Sequence, residues 1–75
     1  MPAPPSPHVL AARRAIGERI RAARLHANLT QEKLAERAGR DRQAVNRIEQ
    51  GHAAASIDTL ICIADALGVP LRDLV

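Results

Sequence analysis

The sequence predicts an all-α domain, a compact bundle of five short helices, and three observations carry that prediction. Its apolar content comes from Ala, Leu, Ile and Val with no aromatic residue at all, whereas β-rich architectures draw on Val, Thr and aromatics. N-capping residues and terminating glycines recur along the chain and enclose segments of helical length. Inside those segments the apolar residues fall three and four apart. Cap, stop and period agree with one another, and seventy-five residues are enough for one small domain only.

The elements follow in order. "MPAPPSP" holds four prolines in seven residues and can be neither a helix nor an inner strand. Residues 1–7 are therefore expected to be a disordered or polyproline-like leader, and residues 8–75 the folded domain. Ser6 and Pro7 are placed to cap and open the first helix. That helix, "HVLAARRAIGERIRAARLHAN", carries Ile16, Ile20 and Arg24 on one stripe with Ala23 and Ala27 beside it, and Asn28 suits a left-handed exit. Thr30 caps the second helix, "QEKLAERA", with Glu32 in its first turn. Gly39 stops it, Asp41 caps the third helix, "RQAVNRIEQ", and Gly51 ends that one. "HAAA" is a loop, after which Ser56 caps the fourth helix, "IDTLICIADAL", which ends at Gly68. Pro70 opens a short fifth helix, "PLRDLV".

Composition narrows the function classes. Cys62 is the single cysteine, so an internal disulfide or a Cys-based zinc site is excluded. Its neighbours Ile61, Ile63 and Ala64 predict a buried, inert thiol. His8, His26 and His52 are scattered without ligand spacing and are expected on the surface, with no metal. No run approaches the roughly 18 apolar residues of a membrane span, and no signal-peptide core is present, so the expected location is cytoplasmic. Eleven Lys and Arg, ten of them Arg, against eight Asp and Glu give a net charge of +3. Such a balance suits a polyanion without demonstrating one. The missing aromatics point further. Single-strand and RNA binders stack bases on Phe, Tyr or Trp, so a duplex read through its grooves is the better partner.

The motif is in "AGRDRQAVNRIEQG". The second and third helices are joined by only Gly39, Arg40 and Asp41, a length that forces a steep, helix-turn-helix crossing. That crossing needs a small residue at the approach, a left-handed residue in the turn, and apolar residues holding the second member down. Ala35, Gly39, Val45 and Ile48 supply them in order. The opposite face of the third helix carries Arg42, Gln43, Asn46 and Arg47 rather than the Glu–Lys pairs of an ordinary solvated face. Arg grips guanine O6 and N7 with two hydrogen bonds, and Gln or Asn does the same to adenine N6 and N7. The alternative is an ordinary helical hairpin with a solvated second helix.

The segments "LTQEKLAERAG", "VNRIEQG" and "SIDTLICIADALGVPLRDL" resemble the Cro/C1-type helix-turn-helix family, also called lambda-repressor-like or XRE, over about residues 15–75. The resemblance implies a five-helix domain with the third helix in the DNA major groove, usually as a symmetric dimer on a palindromic operator. By the same resemblance Gln31 matches a glutamine that hydrogen-bonds a backbone phosphate, with Thr30 beside it. Arg42 and Gln43 match the main base-reading positions, and Asn46 and Arg47 match positions that touch bases or flanking phosphates. Arg40 departs from the usual apolar or Thr turn residue; it is either an added phosphate contact or an exposed side chain. The loop after Gly51, often basic and followed by Pro in the family, is here His52-Ala53-Ala54-Ala55. That leaves backbone N–H groups and His52 for phosphate, and binding is expected to depend on dimerisation or on neighbouring copies.

Two further features concern structure. Arg24 continues the inward stripe of the first helix, and Glu49 lies at the edge of the third helix's inward face, so a buried ion pair is expected because unpaired inward charges are costly. Many members of the resembling family carry such a bridge. The fourth helix is apolar nearly all round, which requires a central position or a partner. Ile61 with Leu71, Leu74 and Val75 is the expected dimer surface, unless the last helix merely closes the core of a monomer.

No paired carboxylates, nucleophile–base set, phosphate-cradling glycine loop or metal cluster is visible, so an enzyme is not expected and no cofactor is implied. The leading function is a sequence-specific double-stranded DNA-binding transcriptional regulator: a phage-type or plasmid repressor, a restriction–modification controller, or an antitoxin. With no room for a sensor domain, control would come from concentration, dimerisation, or a protein partner such as a toxin or polymerase. The competing class is a protein-interaction adaptor, although an adaptor face would be more apolar than Arg, Gln and Asn make this one.

Overall fold

The computed structural model describes residues 3–75. Four α-helices follow one another: α1 (Pro7–His26), α2 (Gln31–Ala38), α3 (Arg42–Glu49) and α4 (Ile57–Leu67), closed by a single 3-10 turn at Leu71–Asp73. The expected fifth α-helix is therefore corrected to one turn. Its hydrogen bonds run from Asp73 N–H to Pro70 C=O and from Leu74 N–H to Leu71 C=O, the three-residue spacing that short segments adopt. Pro70 itself is extended, at ψ 150, and precedes the turn instead of opening a helix.

Local signals fix the helix ends. Ser6 accepts from the Val9 N–H at 3.2 Å, with Pro7 as the first helical residue. Thr30, Asp41 and Ser56 accept from the N–H groups of Lys33, Ala44 and Thr59 in the same way, each occupying an orphan donor of the first turn. Met1 and Pro2, the start of the expected leader, lie outside the described residues; residues 3–6 are exposed and have no regular structure. α1 leaves through Asn28 at φ 58.

Between α2 and α3, Gly39 takes φ 68, a left-handed conformation that costs residues with a Cβ roughly 1–2 kcal/mol. The Arg40 N–H then bonds back to the Ala35 C=O at 2.9 Å, and three residues suffice to swing the chain into α3. α2 packs against both α3 and α4, while α1 packs against α3. Ala35 and Ala38 keep the α2 face low enough for this approach; with Ile20, Leu34, Val45, Ile48, Leu60, Ile63, Ala64 and Leu74 they form one core.

Gly17, in the middle of α1, makes the α1–α3 contact possible. A Cβ placed there would collide with the carbonyl oxygens of both Ile48 and Glu49, so α1 crosses the last turn of α3 backbone to backbone.

Three side-chain expectations are revised. Leu74, expected at a partner surface, is only 1 % exposed and belongs to the protein's own core, because the 3-10 turn folds it inward. Leu71 is half-buried against the same core. Cys62 is half-buried rather than buried, since it sits on the flank of α4 between buried Ile63 and exposed Ile61. His8, His26 and His52 are all exposed. No helix among the described residues is long and apolar enough to cross a membrane.

Candidate nucleic-acid interface

α3 is eight residues long and two-faced. Val45, Ile48 and Glu49 are buried, while Arg42, Gln43 and Arg47 are exposed. Asn46 is half-buried at the boundary. Among the described residues no side-chain hydrogen bond or ion pair engages Arg42, Gln43 or Arg47, so long donors face solvent on a helix that is firmly held from behind. The first turn of α2 opens beside this face: Gln31 touches Asn46 directly, with its amide nitrogen 3.1 Å from Asn46 Oδ1.

The holding is done by an ion pair that the stripe on α1 anticipates. Arg24 Nε donates to Glu49 Oε2 at 2.7 Å and Arg24 Nη2 donates to Glu49 Oε1 at 3.1 Å. The two side chains are 10 % and 2 % exposed. The remaining guanidinium nitrogen, Nη1, donates to the Leu29 C=O at 2.8 Å, which ties the α1–α2 loop into the same network. Bidentate geometry in a dry site is the arrangement in which such a pair is strongest. It fixes the α3 axis against α1 and so fixes the direction in which Arg42 and Gln43 project.

Gln31 is placed differently from its expected role. Its amide nitrogen donates both hydrogens inside the protein, to Asn46 Oδ1 and to Glu49 Oε1, each at 3.1 Å. No side-chain hydrogen of Gln31 remains for a phosphate in this arrangement. Nothing in the sequence signals this, because the partners lie fifteen and eighteen positions away. Thr30 is exposed, with its hydroxyl oxygen accepting from Lys33 N–H at 3.0 Å, and keeps its own hydroxyl proton free for an outside acceptor.

Arg40 also departs from both readings of it. It is half-buried, and its guanidinium folds onto α4. Nε donates to Thr59 Oγ1 at 3.3 Å, Nη2 approaches Cys62 Sγ at 3.9 Å, and Nη1 donates to the Gly39 C=O at 3.3 Å. The turn cation therefore braces α2–α3 against α4. His52 is exposed at the far end of α3, with its N–H bonded to the Arg47 C=O at 2.9 Å. The structure thus brings Thr30, Gln31, Asn46, Arg42, Gln43 and Arg47 onto or beside one face, with Arg40 turned away from it.

Comparison with known proteins agrees with this geometry. A helix-turn-helix family profile matches residues 20–74. Among solved structures, the chain is similar to the restriction-modification controller protein C.AhdI from Aeromonas hydrophila. That match has 34% sequence identity and a TM-score of 0.85, covering 87% of this chain and 98% of the controller. It is similar also to the clp gene regulator ClgR from C. glutamicum, at 27% identity and a TM-score of 0.80 over 84% of this chain and 82% of ClgR. A hypothetical transcription factor, NHTF from Neisseria, matches at 28% identity and a TM-score of 0.82, covering 99% of this chain and 84% of that one. No curated protein shows significant sequence similarity to the chain. A two-helix crossing whose second helix is tied to α1 by a buried ion pair, a solvent-facing row of Arg and Gln, and a profile spanning the core of the domain converge on one conclusion: the chain belongs to the Cro/C1-type helix-turn-helix family of DNA-binding transcriptional regulators.

Proposed function

We propose that the protein binds specific duplex sequences as a symmetric dimer, with α3 in the major groove of each half-site. The observation that carries this reading is the exposed row of Arg42, Gln43 and Arg47, without side-chain hydrogen bonds among the described residues, on a helix fixed from behind by Arg24–Glu49. Arg42 and Gln43 occupy the N-terminal turn, the end by which a recognition helix enters the groove, and read base edges. Arg47, one turn on, reaches a base or the adjoining phosphate. Phosphate contacts fall to the Thr30 hydroxyl, the main-chain N–H of Gln31 in the open first turn of α2, and His52 beyond α3.

Dimerisation supplies the second half-site. Ile57 and Ile61 on α4 and Val75 beyond the 3-10 turn are 64%, 41% and 56% exposed, large apolar side chains that a soluble surface would rather cover. A two-fold contact there, with half-buried Leu71 at its margin, sets two α3 helices about 34 to 36 Å apart, one helical turn of DNA. The similarity to C.AhdI over nearly the whole of that protein supports a small controller-type regulator whose activity follows its own concentration. The polar α3 face weighs against the adaptor alternative.

Affinity for duplex and single-stranded oligonucleotides, measured by fluorescence anisotropy across salt concentration, tests the reading. A dimer that neutralises about six to ten phosphates loses about 10³- to 10⁵-fold in affinity between roughly 50 and 200 mM salt. Binding that ignores salt, or that prefers single strands, contradicts it.

A further inference from the structure

Resting on the reading of α3 as the DNA-facing helix, we infer that Gln31 is a positioning residue that locks the Asn46 amide in one orientation, making Asn46 a donor-only reader that favours guanine over adenine.

The lock is a chain of single-option hydrogen bonds running from the core to the surface. Arg24 holds both oxygens of Glu49, at 2.7 and 3.1 Å. An ion-paired carboxylate accepts and cannot donate, so the Gln31 amide must turn its nitrogen toward Glu49 Oε1, at 3.1 Å. The other hydrogen of that nitrogen then points at Asn46, 3.1 Å away, and only an oxygen can receive it. Asn46 Oδ1 accepts a second bond from Gln50 Nε2 at 3.4 Å. Both lone pairs of the Asn46 carbonyl are thereby taken from within the protein.

What remains of Asn46 is its Nδ2 group, which carries two donors and no acceptor. No buried side-chain nitrogen or oxygen among the described residues lacks a partner. Asn46 Nδ2 bonds to no group among the described residues, so it reaches solvent on the α3 face. The usual asparagine–adenine pair needs both edges of the amide, the oxygen receiving adenine N6–H and the nitrogen donating to N7. With its oxygen occupied, Asn46 cannot form that pair. Two donors instead match guanine, which presents acceptors at both N7 and O6, and they oppose the N6–H₂ donor of adenine. A bond network that begins at a core ion pair thus sets the polarity of one reading side chain.

The test is selection of binding sites from random duplex DNA by the wild type, Asn46→Ala, Gln31→Met and the double variant. Asn46→Ala identifies the symmetric pair of positions that Asn46 reads, and the wild type should enrich guanine over adenine there. Gln31→Met fills similar space without donors and frees one lone pair of the Asn46 oxygen, leaving only the longer bond from the exposed Gln50. The guanine-to-adenine ratio at those positions should then fall by at least about fivefold, the lower value for one bidentate base contact, with the remaining positions unchanged. In the double variant the Gln31 substitution should have no further effect on sequence preference. A Gln31→Met protein that weakens all sequences equally and keeps the wild-type motif overturns the inference, as does a wild type that selects adenine at the Asn46 positions. Should the wild type enrich no duplex at all, the DNA reading of α3 fails, and the base preference fails with it. In that case the side-chain amide signals still report on the bond chain itself: Gln31→Met should shift the Asn46 Nδ2 resonances in the free protein, and unshifted resonances refute the lock independently of DNA.

Discussion

Removing either member of the Arg24–Glu49 pair should be among the most damaging single changes in the protein, and the two removals should not be equal. Replacing Arg24 with Met strands the Glu49 carboxylate at 2 % exposure, with the Gln31 amide as its one remaining donor among the described residues. Replacing Glu49 with Met leaves a guanidinium at 10 % exposure that keeps the Leu29 carbonyl and lies closer to solvent. Breaking one side of a buried pair costs about 3 to 5 kcal/mol, so Arg24→Met should fall near the upper value and Glu49→Met near the lower. A domain of this size has about 4 to 11 kcal/mol in total. Each kcal/mol moves its melting temperature by about 4 to 8 °C, which corresponds to a drop of about 12 to 40 °C. The Arg24→Met/Glu49→Met double variant should recover much of the loss, because two apolar chains of similar volume leave no uncompensated charge. Urea titration and thermal melts followed by circular dichroism measure all three variants, at one fixed protein concentration because association shifts the midpoint. Single variants that melt with the wild type, or a double variant no better than the worse single, would refute the claim that the pair is buried and coupled.

Other expectations follow from the packing and the surface. Gly17→Ala gains up to about 1 kcal/mol of helix propensity, yet its new methyl collides with the backbone carbonyls of Ile48 and Glu49. The clash should dominate, lowering stability by about 1 to 3 kcal/mol in a denaturant titration, and a stabilised variant would show that α1 and α3 are not in close contact. Ile61→Lys, at a position 41% exposed, should leave the monomer's fold intact by circular dichroism while weakening self-association and operator binding together. Sedimentation velocity and anisotropy check this, and a variant still dimeric would move the interface off α4.

How far the sequence could be read depended on how local each determinant is. The bounds of α2 and α4 match expectation to the residue, because Thr30 and Ser56 cap them and Gly39 and Gly68 end them, signals acting within four positions. The Arg24–Glu49 pair spans twenty-five positions but was still legible, since a charge on each of two inward stripes has few other ways to be satisfied. The last element was not. Pro70 and the apolar spacing after it fit a helix start equally well, and what decides for a 3-10 turn is the burial of Leu74 in a core formed by other helices. Gly17 left only a weak trace, a helix-disfavouring residue within an otherwise strong helix. The side-chain directions of Gln31 and Arg40 were beyond reach, for each is set by partners on another helix. The face of α3 could be read from residue type, but the way its neighbours hold it could not.

The central claim is that the N-terminal turn of α3 reads bases, and binding-site selection with the Arg42→Ala and Gln43→Ala proteins tests it most directly. Both side chains are exposed and make no hydrogen bond among the described residues, so neither substitution should disturb the fold. Each should erase the preferred base at its own symmetric pair of positions, a loss of about 1 to 3 kcal/mol of discrimination, and leave the rest of the motif as in the wild type. If both variants return the wild-type motif unchanged, α3 does not read the groove through Arg42 and Gln43.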